Sequence, residues 1–286
     1  MDSPTVNSPR GQTNNNQKFP EYLYVDTAFG SPGNRNRVKN IKQLEIPNDG
    51  RDCYVSMFRF GDEYKQLCDK TGSVRGASNL PCYCDFLWFD IDDETDLHNA
   101  LMNARQLVIS IEKKASDISD HLSIWFSGNK GFHIGVPACL FGFEPSQDLP
   151  KICKEIAMTF ATSTEIDKAI YEHNRLWRVP NTINSKSGLY KIPLTHEQLA
   201  TWSIDKIKKE AATPEGNPVL AAQFTEAPHL GLQSIYNTVK NTFIQKKNSA
   251  QPQKYGDNSQ ALDKPCLKEI LKGVKKGIRN EAAIRR

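Results

Sequence analysis

Leu122–Val136 reads LSIWFSGNKGFHIGV, two short runs rich in aromatic and β-branched residues separated by Gly-Asn-Lys-Gly. Runs of this kind bounded by turn residues are strands, so the stretch predicts a hairpin of Leu122–Ser127 and Phe132–Val136. Glycine tolerates the positive φ of a tight turn, whose backbone N–H groups can then face an anion. Side chains alternate across a strand. Phe132, Ile134 and Val136 therefore line one face, while His133 and Gly135 line the other, where the small Gly135 is expected to leave room for a ligand. Spacing alone favours an ordinary turn with an incidental histidine over a phosphate cradle of Ser127, Lys130 and His133.

Outward from the hairpin, Phe86–Asp92 (FLWFDID) and Cys53–Phe60 (CYVSMFRF) read as further strands. Leu97, Leu101, Ala104, Val108, Ile111 and Ala115 step by four and three, which predicts a helix over Thr95–Ser116. Ile152, Ile156 and Phe160 share a stripe that predicts another over Leu149–Thr162, and a third is expected over Glu197–Lys209. There is no internal repeat. Strands interleaved with helices define an α+β or mixed α/β body.

The 286 residues are 38% hydrophobic, enough for a packed core. No apolar run approaches the roughly 18 residues of a membrane span, and the polar start MDSPTVNSPRGQTNNNQ has no export signal. Seven cysteines, an odd number, are expected to be reduced thiols in a cytoplasmic protein. Net charge is +4 and unevenly spread: from Lys240 onward twelve Lys and Arg face four Asp and Glu, +8, against −4 before it. Such a basic tail is either a solvated surface or a contact for nucleic-acid phosphates. Residues 1–18, rich in Asn, Gln, Ser and Pro, read as a disordered tail and 248–262 as a linker. Between them, 19–247 forms the main domain.

Three motifs carry chemistry. Asp90 and Asp92, two apart on a strand, share a face, and their mutual repulsion is relieved by a hard divalent cation. Equally, with Asp93, Glu94 and Asp96, they read as the acidic start of the next helix. The Ser127–His133 turn is the second motif. The third is Asp167 followed by Arg175, Arg178 and Lys186, cations suited to phosphate oxygens. Cys53, Cys68, Cys82 and Cys84 fall within 32 residues but lack paired Cys-x-x-Cys spacing, which argues against zinc.

In order, an Asp pair on a strand, Ser-Gly-x-x-Gly-x-His, an isolated Asp, Arg-x-x-Arg-x-Pro and Asn-x-x-Asn-Ser-Lys-Ser-Gly resemble the archaeo-eukaryotic primase superfamily, specifically the primase-polymerases of mobile elements, phages and bacteria. The resemblance covers about Cys53–Leu194. It implies an RRM-like catalytic core joined to a second α/β unit. It also implies template-directed nucleotidyl transfer, as DNA primase or polymerase, with two Mg²⁺ or Mn²⁺ ions on Asp90, Asp92 and Asp167. Ser127, Lys130 and His133 would contact the nucleotide's phosphates, and Arg175, Arg178 and Lys186 would complete the pocket. Many relatives carry a histidine where this chain has Asn184. Implied partners are single-stranded DNA template, primer strand and nucleoside triphosphates, with a helicase or further C-terminal domain and no membrane. The alternative is a non-catalytic nucleic-acid-binding replication module on the same scaffold. Residues 263–286 resemble the start of a helical, basic C-terminal domain expected to continue past Arg286. There Cys266 would ligate an iron–sulfur cluster only in a longer chain.

Overall fold

The computed structural model describes residues 19–214, 216–218, 220 and 226–249. The tail over 1–18, nearly all of the linker over 248–262, and the segment 263–286 with Cys266 lie outside the described residues. Among the described residues twelve strands are formed: β1 (Tyr24–Phe29), β2 (Arg37–Asn40), β3 (Cys53–Ser56), β4 (Arg59–Phe60), β5 (Cys82–Tyr83), β6 (Phe86–Asp92), β7 (Ser123–Phe126), β8 (Gly131–Pro137), β9 (Leu176–Arg178), β10 (Ile183–Asn184), β11 (Leu189–Tyr190) and β12 (Ile192–Leu194). The helices are α1 (Asp62–Thr71), α2 (Leu97–Lys114), α3 (Ala138–Phe141), α4 (Leu149–Phe160), α5 (His196–Thr201), α6 (Ile204–Glu210) and α7 (Leu230–Ser249). The class is α+β, and every strand pairing is antiparallel.

One sheet runs β5-β4-β1-β3-β9 with β2 also on β1; a second runs β12-β7-β8-β6; β10 and β11 form a hairpin. The expected single strand over Cys53–Phe60 is broken. β3 pairs with β1 at Thr27↔Val55, but β4 pairs at Tyr24↔Phe60, so Met57 and Phe58 are extra residues on that side. Ser56 explains how the break is tolerated. Its hydroxyl accepts from the Asp26 N–H at 3.1 Å and donates to the Phe58 carbonyl at 2.8 Å, satisfying groups the ladder leaves unpaired.

The second sheet is buried on both faces. Leu87, Phe89 and Ile91 of β6, with Phe132, Ile134 and Val136 of β8, face α2 and α4. The opposite face carries Trp88, Asp90 and His133, and the first sheet packs against it through Trp177, whose ring lies 5.5 Å from that of Trp88. Beyond the first sheet lies α1, where Tyr64 stacks on Phe60 at 3.9 Å. Helix, sheet, sheet and helix thus form four layers, and the face of the second sheet that carries Asp90 and His133 lies against the first.

Two expected elements differ. The helix over Glu197–Lys209 is two helices, because Ser203 caps α6 by accepting from the Lys206 N–H while Thr195 and Gln198 form a reciprocal cap on α5. Helix α7 has no counterpart among the sequence-based expectations. Backbone contacts divide the chain into two units after Asn241, and α7 runs to Ser249. Among the described residues no helix is long and apolar enough to cross a membrane.

Candidate functional site

The hairpin, the Asp pair and Asp167 meet at one end of the second sheet. Register pairs Asp90 with His133 and Asp92 with Gly131. Since paired residues project to one side, Asp90, Asp92 and His133 share the face away from α2. Asp167 joins them through the backbone: its N–H donates to the Asp90 carbonyl at 2.9 Å, on the edge of β6 that β8 leaves free. The Tyr171 hydroxyl donates to the Trp88 carbonyl at 2.7 Å on the same edge. Ile166–Tyr171 therefore both covers an open strand edge and sets Asp167 beside Asp90.

Each carboxylate has a different setting. Asp90 is buried, its Oδ1 finds no hydrogen-bond partner, and His133 Nε2 stands 3.5 Å away without forming one. Burial, then the charges of Asp92 and Asp167, push its carboxyl up to about 8. Asp92 pairs with Lys130 at 3.0 Å, and Lys130 also pairs with Glu94. Asp167 accepts from the Ala169 N–H at 2.8 Å and from Arg175 at 2.9 Å. The acidic run thus divides its labour: Asp93 and Asp96 accept backbone N–H groups at the start of α2, while Asp90 and Asp92 lie on the face shared with His133. Beside the carboxylates lies a cleft of about 430 Å³ lined by Asp92, Met158, Thr164, Glu165, Asp167 and Lys168, among others.

The turn is tight for steric reasons. A Cβ on Gly131 would meet the Ile91 carbonyl at 2.0 Å and Asp92 Oδ1 at 2.3 Å. Gly128 has φ +86° and lies against Leu189–Lys191. Ser127 Oγ accepts from the Gly131 N–H at 3.2 Å, and the Ser187 hydroxyl bonds the Gly128 carbonyl, joining this turn to the β10–β11 turn. The Asn184 carboxamide accepts from the Lys186 N–H and shapes that second turn, while Lys186 itself is exposed. Arg178 is fully engaged by Asp52, Tyr54 and the Ile183 carbonyl. One expectation fails outright. The room over Gly135 is filled by the Trp88 indole, whose atoms lie 2.6–2.9 Å from where a Cβ would stand.

Local patterns did not reveal Lys191, Asp52 or the tryptophans. Lys191 is wholly buried, donates to the Arg178 carbonyl at 2.9 Å, and lies 5.1–5.6 Å from the ring centres of Trp88, Trp125 and Trp177. Burial, then the neighbouring Arg178, hold its pKa well below the usual lysine range. His133 lies against Trp177, 4.1 Å between ring centres, and burial keeps it neutral. The signal available was a lysine inside the run LYKIPL, opposite a strand containing Trp125.

By chemical type the donors suit a divalent cation: three hard carboxylates, of which Asp90 has an orphaned buried oxygen. Their present spacing does not complete a site. Among the described residues no group of three or more His, Cys, Asp or Glu could hold a metal ion, and Lys130 and Arg175 hold the two flanking carboxylates. As for zinc, Cys53 and Cys68 lie on the first sheet and α1, where Cys53 Sγ contacts the Arg51 carbonyl and Cys68 Sγ the Asn36 carbonyl. Cys82 Sγ contacts that of Ser146.

No protein-family model matches the chain, and no curated protein does. Among solved structures, the chain is similar to the polymerase domain of Mycobacterium tuberculosis Ligase D in complex with DNA. The likeness covers 67% of this chain and 82% of that one, at 14% identity and a TM-score of 0.36. At that level it fixes neither a family nor a function. The fold and the site together define an α+β protein with two stacked antiparallel sheets and a carboxylate cluster flanked by cations.

Proposed function

We propose that this chain is a template-directed nucleotidyltransferase, a DNA primase or polymerase of the primase-polymerase type, acting with Mg²⁺ or Mn²⁺ on a single-stranded template. The observation that carries the reading is the Asp167 N–H on the Asp90 carbonyl. It joins carboxylates from two distant motifs on the sheet end that also bears His133 and Lys130. Asp90, Asp92 and Asp167 would hold the divalent ions, which when bound supply activation of a hydroxyl nucleophile and charge neutralisation at the leaving group.

The chain's own residues then have defined tasks. Lys130 and Arg175 neutralise Asp92 and Asp167 in the state described, and both release their carboxylates when those serve as ligands. The freed ammonium and guanidinium turn to the triphosphate, so each cation exchanges one anionic partner for another. Lys186, exposed on the adjoining turn, adds a third cation. Ser127 and the neutral His133 donate hydrogen bonds to phosphate oxygens and orient the chain for in-line attack. Arg178, bound to Asp52, Tyr54 and Ile183, holds the β9 and β10 segments together rather than reaching outward.

The test is incorporation of labelled deoxy- and ribonucleotides on a single-stranded template, with and without primer, in Mg²⁺ and in Mn²⁺. Activity should fall at least about a thousandfold in Asp90→Asn and Asp92→Asn, as expected when a metal ligand is lost, with thermal unfolding preserved. Extension at the wild-type rate by the double variant would overturn the reading. A second reading, a non-catalytic nucleic-acid-binding replication module, draws on the Lys130 and Arg175 ion pairs and the incomplete ligand set. It predicts template binding with no incorporation in either metal.

A further inference from the structure

Three of the four tryptophans, from strands far apart in sequence, converge on the buried Lys191 side-chain nitrogen. A lysine is rarely taken wholly out of water, and here its direct contacts are neutral, one carbonyl and three aromatic faces, with the charges of Arg178 and Asp90 acting on it from further off. Indole faces attract a desolvated cation. They do not require one, since an apolar side chain would fill the same volume without the cost of burying an amine. The side chain therefore does something that packing alone does not.

What it does follows from its neighbours. The Arg178 carbonyl it binds is one residue from Trp177, and the Trp177 ring lies directly against the His133 imidazole at 4.1 Å. Trp125 is the cross-strand neighbour of His133. Trp88 occupies the space over Gly135 and touches Trp177 at 5.5 Å. Lys191 thus ties β9 of the first sheet to the face of the second at the point where Trp177 covers His133. The His133 ring has little else to orient it: its Nδ1 finds no partner and its Nε2 is 3.5 Å from Asp90.

We propose that Lys191 is a positioning residue for His133, acting through the tryptophan cage: it holds Trp177 against the imidazole and so fixes the direction in which His133 presents its N–H. The kinetic consequence rests on the nucleotidyltransferase reading; the structural one does not.

Two variants and two readouts test it. Lys191→Met keeps the apolar volume and loses the side-chain nitrogen, whereas Lys191→Arg keeps a cation and a donor. Ring-proton and ring-nitrogen NMR signals of His133, assigned with His133→Gln, report the stacking on Trp177. They should move toward unstacked positions in Lys191→Met and stay near wild type in Lys191→Arg. On a primed template, Lys191→Met should raise the nucleotide KM by about tenfold or more with a smaller change in kcat, the signature of a phosphate contact through His133 weakened alike in ground and transition states. Trp88→Phe, which weakens the cage at a ring that does not stack on His133, should shift the same signals in the same direction, and serves if Lys191→Met fails to fold. Unmoved His133 signals in a folded Lys191→Met or Trp88→Phe protein would overturn the proposal, as would an unchanged KM in an active Lys191→Met enzyme. If the wild-type protein incorporates no nucleotide, the functional reading fails, and the His133 spectra still decide this one.

Discussion

Gly131 occupies a spot where no other residue fits. Its φ is not in the left-handed region, so the constraint is contact: an added Cβ would press on the Ile91 carbonyl and on Asp92. Gly188 is the informative comparison, with φ +73° and open space around it. Alanine at Gly188 is expected to cost about 1–2 kcal/mol, the left-handed penalty alone. Alanine at Gly131 should cost about 1–3 kcal/mol from overpacking and also displace Asp92, so nucleotide incorporation falls as well. Urea unfolding of both proteins, with the incorporation assay, checks the pair. Equal activity in the two would mean that Asp92 does not depend on the close approach of β6 and β8. In the sequence, the turn glycines read as residues that tolerate positive φ and free backbone N–H groups to face an anion. Only the register, which sets Gly131 opposite Asp92, shows that absence of a side chain is what counts there.

Elements whose signals are local were legible and those shaped by partners were not. The strand β6 agrees with expectation residue for residue, and β7 and β8 to within a residue at each end, because aromatic and β-branched runs end at turn residues. Helix α2 starts where Asp96 accepts from the His98 and Asn99 N–H groups at 2.9 and 3.2 Å. Replacing it by alanine should cost about 1 kcal/mol, and by asparagine much less; thermal or urea unfolding of Asp96→Ala and Asp96→Asn tests this. A loss in Asp96→Asn as large as in Asp96→Ala would assign the effect to charge at the helix start instead of the cap. The same capping logic was available at Thr195 and Ser203, and would have divided the Glu197–Lys209 segment. By contrast, α7 went unread although Leu232, Tyr236, Val239 and Phe243 step by four, three and four; of these only Leu232 and Tyr236 are buried. The break between β3 and β4 depends on the Ser56 hydroxyl meeting Asp26 from another strand, which no local pattern encodes.

At the scale of the molecule, the ordered motifs gave the carboxylates and their cations but not their assembly. Residues 88, 125, 177 and 191 meet only because two sheets stack, and stacking is a property of the whole chain. Charge is the other whole-molecule property, and it is legible from sequence. The first 249 residues carry a net −1 and the last 37 a net +5. An acidic-to-neutral body has little long-range attraction for a polyanion, so single-stranded DNA affinity must draw on the last segment if binding is electrostatic. A chain ending at Ser249 keeps all of α7, including the Lys240–Glu144 ion pair at 2.7 Å, and removes only that segment. It should bind single-stranded DNA more weakly at about 0.1 M salt. Its log-affinity against log-salt slope should also be shallower, by about 0.7 for each phosphate that the shortened chain no longer neutralises. Fluorescence anisotropy across a salt series measures both. An unchanged slope would place the template-binding cations on the body, and make Lys130, Arg175 and Lys186 the first to replace.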